Sequence, residues 1–160
     1  MEENLRPKDE IIKTVQELSR RLGRERVVWR YDPILLNDSY TVARHLMWFE
    51  KALAELSSYV ERCVISFIDM YAKMKKNTVG LNLRALTEAE MHELATGLAE
   101  RARGSGVRLQ TCPEGIDLDI YDISHGACID GELIERITGQ ACQSRKSQKP
   151  APSLQLRGEL

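Results

Sequence analysis

An arginine, an aromatic residue, a carboxylate and a proline follow one another at the end of a short apolar run, Arg26-Val27-Val28-Trp29-Arg30-Tyr31-Asp32-Pro33. The Arg30 guanidinium is always charged and offers a planar fork suited to a carboxylate or phosphate. Asp32, two residues on, falls on the same side of an extended chain. The two could share one ligand; alternatively, Arg30 closes on Asp32 or Glu114 as an ion pair that only orders the strand ends. Two further runs also deliver charge: Cys63-Val64-Ile65-Ser66-Phe67-Ile68 reaches Asp69, and Val107-Arg108-Leu109-Gln110-Thr111-Cys112 reaches Pro113-Glu114. Asp32, Asp69 and Glu114 could gather for a hard cation or for proton transfer, or could instead cap the helices that follow. Arg30, Asp32, Asp69 and Glu114 are therefore the candidate catalytic pocket. His125, Cys128 and Asp130 bring an imidazole, a thiol and a carboxylate close in sequence. With Cys112 as a second thiol, the set Cys112, Cys128 and His125 could ligate a metal or form a nucleophilic pair, with buried packing of the cysteines as the alternative.

The elements that must position these groups are legible from periodicity. Ile11, Val15, Leu18 and Leu22 recur at helical spacing, with Pro7 near the start and Gly23 suited to the end. Val42, Leu46, Phe49, Leu53, Leu56 and Val60 form a longer apolar stripe, which predicts a helix packed on a sheet. Thr87-Glu88-Ala89-Glu90 has the capping-box pattern and opens a helix with Met91, Leu94, Leu98 and Ala102 inward, stopping at Gly104. Asp130 is the expected N-cap of a last short helix that buries Leu133, Ile134 and Ile137 before Gly139. Helices thus alternate with three strands, the pattern of an α/β fold built from repeated right-handed βα units with parallel strands. Loops after the C-terminal ends of such strands form the site. Three strands cannot close an eight-stranded barrel, and as a free sheet they leave edges that invite association.

The chain has 160 residues, 42% of them hydrophobic, enough for one domain with a sizeable core. Its 23 basic and 24 acidic residues create no field that would recruit nucleic acid or an anionic membrane. Lys73, Lys75 and Lys76 could bind an anionic substrate, but with no interleaved aromatic platform they do not argue for nucleic acid. No apolar stretch is long enough to span a membrane, and Met1-Glu2-Glu3-Asn4 lacks the features of a signal peptide, so the cytoplasm is the expected location. Cys63, Cys112, Cys128 and Cys142 contain no C-x-x-C, which speaks against a disulfide framework or zinc ribbon, and Cys63 reads as a small buried hydrophobe. His45 and His92 lie beside apolar helical stripes and read as boundary or surface residues. No phosphate-cradling glycine-rich loop is present.

Trp29-Arg30-Tyr31-Asp32-Pro33-Ile34, the segment Ile65-Ser66-Phe67-Ile68-Asp69-Met70-Tyr71-Ala72-Lys73, Thr111-Cys112-Pro113-Glu114, and His125-Gly126-Ala127-Cys128-Ile129-Asp130 occur in this order. In these motifs the chain resembles a bacterial family, domain-of-unknown-function family eighteen-forty-eight, over roughly residues 5 to 140. The resemblance implies part of a TIM-barrel-like domain, followed in full-length members by a cysteine-rich end whose thiolates look like iron–sulfur ligands. By analogy of architecture, it implies an enzyme akin to those using a radical S-adenosylmethionine mechanism. This sequence departs from the pattern at both ends: the initial strands are absent, and residues 141–160 read as a flexible basic tail carrying only Cys142, so cluster ligands cannot be carried over. The expectation is a fragment or shortened relative of a barrel-type iron–sulfur enzyme that binds a small molecule. The competing expectation is a non-catalytic module that pairs through its sheet edges with itself or with a separately encoded segment.

Overall fold

The computed structural model describes residues 6–68, 80–112, 115–127 and 129–140. Its elements are α1 (Lys8–Leu22), β1 (Trp29–Ile34), α2 (Val42–Leu56), β2 (Arg62–Phe67), α3 (Glu88–Ala102), β3 (Arg108–Thr111), β4 (Ser124–His125) and α4 (Gly131–Thr138), with short 3-10 turns at Arg24–Arg26 and Asp119–Tyr121. The four strands form one all-parallel sheet in the order β1-β2-β3-β4. Strands adjacent in sequence are therefore adjacent in space, as expected when every crossover has the same hand and places its helix on the same face.

The helix ends follow local chemistry. Thr87 accepts a hydrogen bond from the Glu90 amide while the Glu90 carboxylate accepts from the Thr87 amide, the reciprocal capping box. Thr41 caps α2 by accepting from the Arg44 amide, and Asp130 caps α4 by accepting from the Leu133 amide at 2.9 Å. At Gly23 the backbone turns with φ of 96°, a conformation open to glycine, and its N–H closes α1 on the Ser19 carbonyl.

The sheet has two unlike faces. On one, Trp29, Ile34, Cys63, Ile65, Phe67, Leu109 and Thr111 are buried in a core shared with Phe49 and Leu53 of α2 and Leu94 and Leu98 of α3. Trp29 stacks on Phe49 with ring centroids 5.0 Å apart. A Cβ built on Gly97 of α3 would lie 2.7 Å from the Leu46 methyls, so the missing side chain lets α2 and α3 approach closely. The alternate residues Arg30, Val64, Arg108 and Gln110 lie on the other face, which these helices leave open. A register shift between Tyr31 and Ile34 marks a bulge at Asp32 and Pro33, where proline has no N–H to give the ladder.

Three expectations are corrected. The sheet has a fourth strand, β4, whose two exposed residues show no apolar alternation from which a strand could be read. The core face of α1 centres on Ile12, Val15 and Ser19, while Leu18 and Leu22 stay 44% and 47% exposed. α4 does not bury Leu133, Ile134 and Ile137 in the core; they are half-buried. This helix is held at the N-terminal end of the strands by Asp130 on Arg62, and by Arg136 on Glu61 at 3.0 Å and on the Glu25 carbonyl at 3.4 Å. No helix among the described residues is long and apolar enough to cross a membrane.

Candidate functional site

Strand alternation carries Arg30, the second residue of β1, and Asp32, the fourth, onto the open face. The Arg30 guanidinium donates to one Asp32 oxygen, Oδ2, from Nε at 3.0 Å and from Nη2 at 2.5 Å. Nη2 also donates to the Cys112 sulfur at 3.1 Å, so the arginine reaches past β2 to the end of β3. Hydrogen bonds to Asp32 and then to Cys112 hold the arginine's proton more tightly than usual, outweighing partial burial. The Arg30–Asp32 ion pair read from the sequence as one alternative is thus formed. Arg30 is 54% exposed and Asp32 18%, so the pair contributes about 0.2–1 kcal/mol, too little to explain its placement by stability. Among the described residues, Nη1 of Arg30 and Oδ1 of Asp32 have no hydrogen-bond partner, leaving a donor edge and an acceptor side by side on the open face.

A second polar chain crosses the same face nearer the N-terminal ends of the strands. Gln110 donates to the Ser124 hydroxyl at 3.5 Å and accepts from Arg62 at 3.3 Å, and Arg62 pairs with Asp130. Burial would raise the Asp130 carboxyl, but bonds from the Leu133 amide and from Arg62 outweigh it and hold the group below the ordinary aspartate range. Arg62, Gln110 and Ser124 were not singled out in the sequence. The only signal was the even spacing of Arg108, Gln110 and Cys112, which puts polar groups on one side of the strand.

His125 is not brought to this cluster. It pairs in register with Thr111, on the helix-covered side, and its Nδ1 lies 3.2 Å from the Thr111 hydroxyl. Cys112 follows Thr111 and points to the other face. Asp69, Glu114 and Cys128, like Lys73, Lys75, Lys76 and the tail at 141–160, lie outside the described residues. Among the described residues there is no group of three or more histidine, cysteine and acidic side chains able to hold a metal ion. Cys63 is fully buried on the covered face, its thiol pushed well up by burial, while Cys112 is on the open face. These two cysteines therefore do not fit a shared iron–sulfur cluster.

His45, read as a boundary residue, is buried at the start of α2. Its Nε2 lies 2.7 Å from the Leu35 carbonyl, which can only accept, so Nε2 carries the proton, and the single Tyr31 hydroxyl proton is shared between Nδ1 and the His45 carbonyl, each 3.1 Å away. Desolvation lowers the imidazole's pKa, partly countered by the bond to Leu35. This network ties β1 to α2 directly beneath the bulge that carries Asp32. Close by, Asn37, Ser39, Tyr40, Leu81 and Asn82 line a hollow of about 370 Å³ beyond the end of β1.

No curated protein and no solved structure matches the chain. A family model described as "Domain of unknown function (DUF1848)" matches residues 1–153, past both ends of the span expected from the four motifs. The ordered motifs around Arg30, Asp69, Cys112 and His125 thus carry a resemblance that extends over nearly the whole sequence, and the chain belongs to the DUF1848 family.

Proposed function

We propose that the open polar face is the ligand-facing wall of a barrel-type α/β enzyme that acts on a small anionic molecule. Arg30 is its anion-binding group, and Asp32 and Cys112 are the residues that orient it. The reading rests on one observation: Arg30 is held from two strands at once, by Asp32 further along β1 and by Cys112 just past the end of β3, on the face the helices leave free. In singly wound parallel folds sites form towards the C-terminal ends of the strands, the direction in which the Arg30 side chain reaches. Two further features support it. The sequential strand order with one-sided helices is the arrangement of a barrel segment, although the four strands here do not close. The unpartnered Nη1 of the guanidinium also offers its two hydrogens to an anion such as a carboxylate or phosphate. A cluster-bearing form of such an enzyme would draw its thiolates from positions other than Cys63 and Cys112 together.

Thermal unfolding with inorganic phosphate or malonate tests the anion reading. The wild-type Tm rises with either ion, and the rise disappears in Arg30→Met, whose own unliganded Tm shows whether the fold is intact. An equal shift in both proteins overturns it. Iron and acid-labile sulfide measured on anaerobically purified chain, alone and co-expressed with adjacent reading frames, test the cluster reading. Folded protein without either element in both preparations overturns that part.

A further inference from the structure

β4 is too short to cover β3. It pairs only with Gln110 and Thr111, because the chain enters it from the 3-10 turn through Asp122, whose φ of 59° is a left-handed bend that aspartate tolerates. The edge of β3 before Gln110 therefore has no neighbouring strand among the described residues, and Val107, Arg108 and Leu109 line a cleft of about 610 Å³ there. The backbone of β3 determines what this cleft can hold. The Arg108 N–H donates to the Glu61 carbonyl on the β2 side at 2.9 Å, and the Thr111 carbonyl accepts from the Gly126 N–H on the β4 side at 2.8 Å. Peptide groups alternate in direction along a strand, so those of Val107 and Leu109 turn outward, as those of Thr111 do. The Ser105 hydroxyl takes the Val107 N–H at 3.1 Å. The Val107 carbonyl and the Leu109 N–H have no hydrogen-bond partner among the described residues. These are the acceptor and the donor that one extended residue opposite Arg108 uses in a parallel ladder.

Side-chain chemistry selects the occupant. A residue opposite Arg108 sets its side chain on the open face beside the guanidinium, and its two neighbours turn to the covered face, where Ala99 and Ala102 of α3 line the cleft and leave room for apolar groups. Arg103 and Arg108 both line the cleft, and neither guanidinium has an ion pair or hydrogen bond among the described residues. Against these two cations the lining supplies one carboxylate, Asp122, so the cleft carries unmatched positive charge. Residues 141–157 of this chain hold Arg145, Lys146, Lys149 and Arg157 and no acid, the wrong charge for this place. We propose that the cleft binds an extended segment of another protein as a parallel strand in line with β4, with an acidic residue opposite Arg108 and apolar residues on either side of it. Backbone bonds to Val107 and Leu109 supply the pairing, and the arginines supply the preference for acid. The site is separate from Arg30, which lies two strands away, and does not depend on its role.

Fluorescence anisotropy with the full chain and two labelled hexapeptides, one alternating valine with glutamate and one alternating valine with lysine, tests this. The glutamate peptide is expected to bind, and the lysine peptide to bind at least about tenfold more weakly. In Arg108→Glu the order reverses, a gain that misfolding could not produce. The bound glutamate peptide also slows amide exchange at Leu109, which binding to surface charge alone would leave unchanged. Equal affinity for the two peptides, no binding of the glutamate peptide up to about 1 mM, or unaltered exchange at Leu109 overturns the proposal. So does a dimer, seen by light scattering without peptide, that protects the Leu109 amide and is lost in Arg108→Glu, since the occupant is then a second copy of this chain.

Discussion

Asp130 performs two tasks with one carboxylate, and they can be separated. It caps α4 through the Leu133 amide, and it pairs with Arg62, whose side chain is only 10% exposed. Asparagine caps as well as aspartate, so Asp130→Asn removes the charge and keeps the cap, whereas Asp130→Ala removes both. Leaving a fully buried arginine without its partner costs about 3–5 kcal/mol. Here Asp130 is 25% exposed and Gln110 still accepts from Arg62, so about 2 kcal/mol is the reasoned loss for Asp130→Asn. Adding the cap, about 1 kcal/mol, brings Asp130→Ala to about 3 kcal/mol. In an Arg62→Met background, Asp130→Ala should cost only the cap, about 1 kcal/mol, leaving a coupling energy of about 2 kcal/mol. Urea unfolding followed by far-ultraviolet circular dichroism measures all five proteins. The sign of the pH dependence is fixed as well. The folded carboxyl is depressed, so the coupling is present above the unfolded aspartate value, about 3.9, and fades as pH falls through the lower folded value. A coupling near zero at neutral pH, or one that persists when the carboxyl is protonated, refutes the placement of α4 against β2.

Burial depresses the His45 imidazole, so the unfolded chain binds more protons below the ordinary histidine value of about 6.5. Stability should therefore fall as pH drops through about 6.5 towards the folded value, and Tm profiles of wild type and His45→Gln should differ in slope there, parallel profiles excluding the network. A Cβ on Gly126 would meet the Thr111 carbonyl oxygen at 2.7 Å, where the Gly126 N–H now donates at 2.8 Å. Gly126→Ala must displace backbone and should cost about 1–3 kcal/mol, with faster amide exchange confined to β3 and β4; unchanged exchange counts against the pairing. Thr87→Ala removes half of the capping box and should lower stability by about 1 kcal/mol, which for a chain of this size lowers Tm by about 2–4 °C in calorimetry. The Glu90 carboxyl, held at about 2 chiefly by the side-chain bond from Arg84 and then by the Thr87 amide, should stay ionised in a carboxyl titration by NMR well below ordinary glutamates.

The repeated βα pattern was legible because it is written in long apolar stripes. Val42 to Val60 has helical spacing throughout, and the buried Phe49, Leu53 and Leu56 are members of that stripe. The capping box of α3 and the Asp130 cap were legible because the chemistry is local. β4 was not, since two residues cannot show a period, and its strand character comes from Thr111 on the neighbouring chain segment. Leu18 and Leu22 misled for a related reason: they fit the helical period of α1, but which side of a helix is buried is decided by tertiary packing. For the site, Arg30 with Asp32 could be read from spacing, whereas the Cys112 contact spans 82 positions and depends on the order of strands. His45 was misplaced because a histidine beside an apolar stripe gives no sign that Tyr31 and the Leu35 carbonyl wait for it.

The one-sided helix layer has a mechanical consequence. Strands sit about 4.8 Å apart across a sheet, whereas packed helices need about 8–10 Å between axes. Each βα unit thus demands more width in its helical layer than in its sheet. With helices on both faces the excess would divide between two layers. With α1, α2 and α3 on one face it accumulates, and a bend of the sheet away from the helices would relieve it. Close approach at Gly97 lessens the mismatch between α2 and α3 without removing it. Such a bend would put the face that carries Arg30, Asp32 and Cys112 on the concave side, so the same packing that excludes water from the core would draw the polar groups towards a common focus.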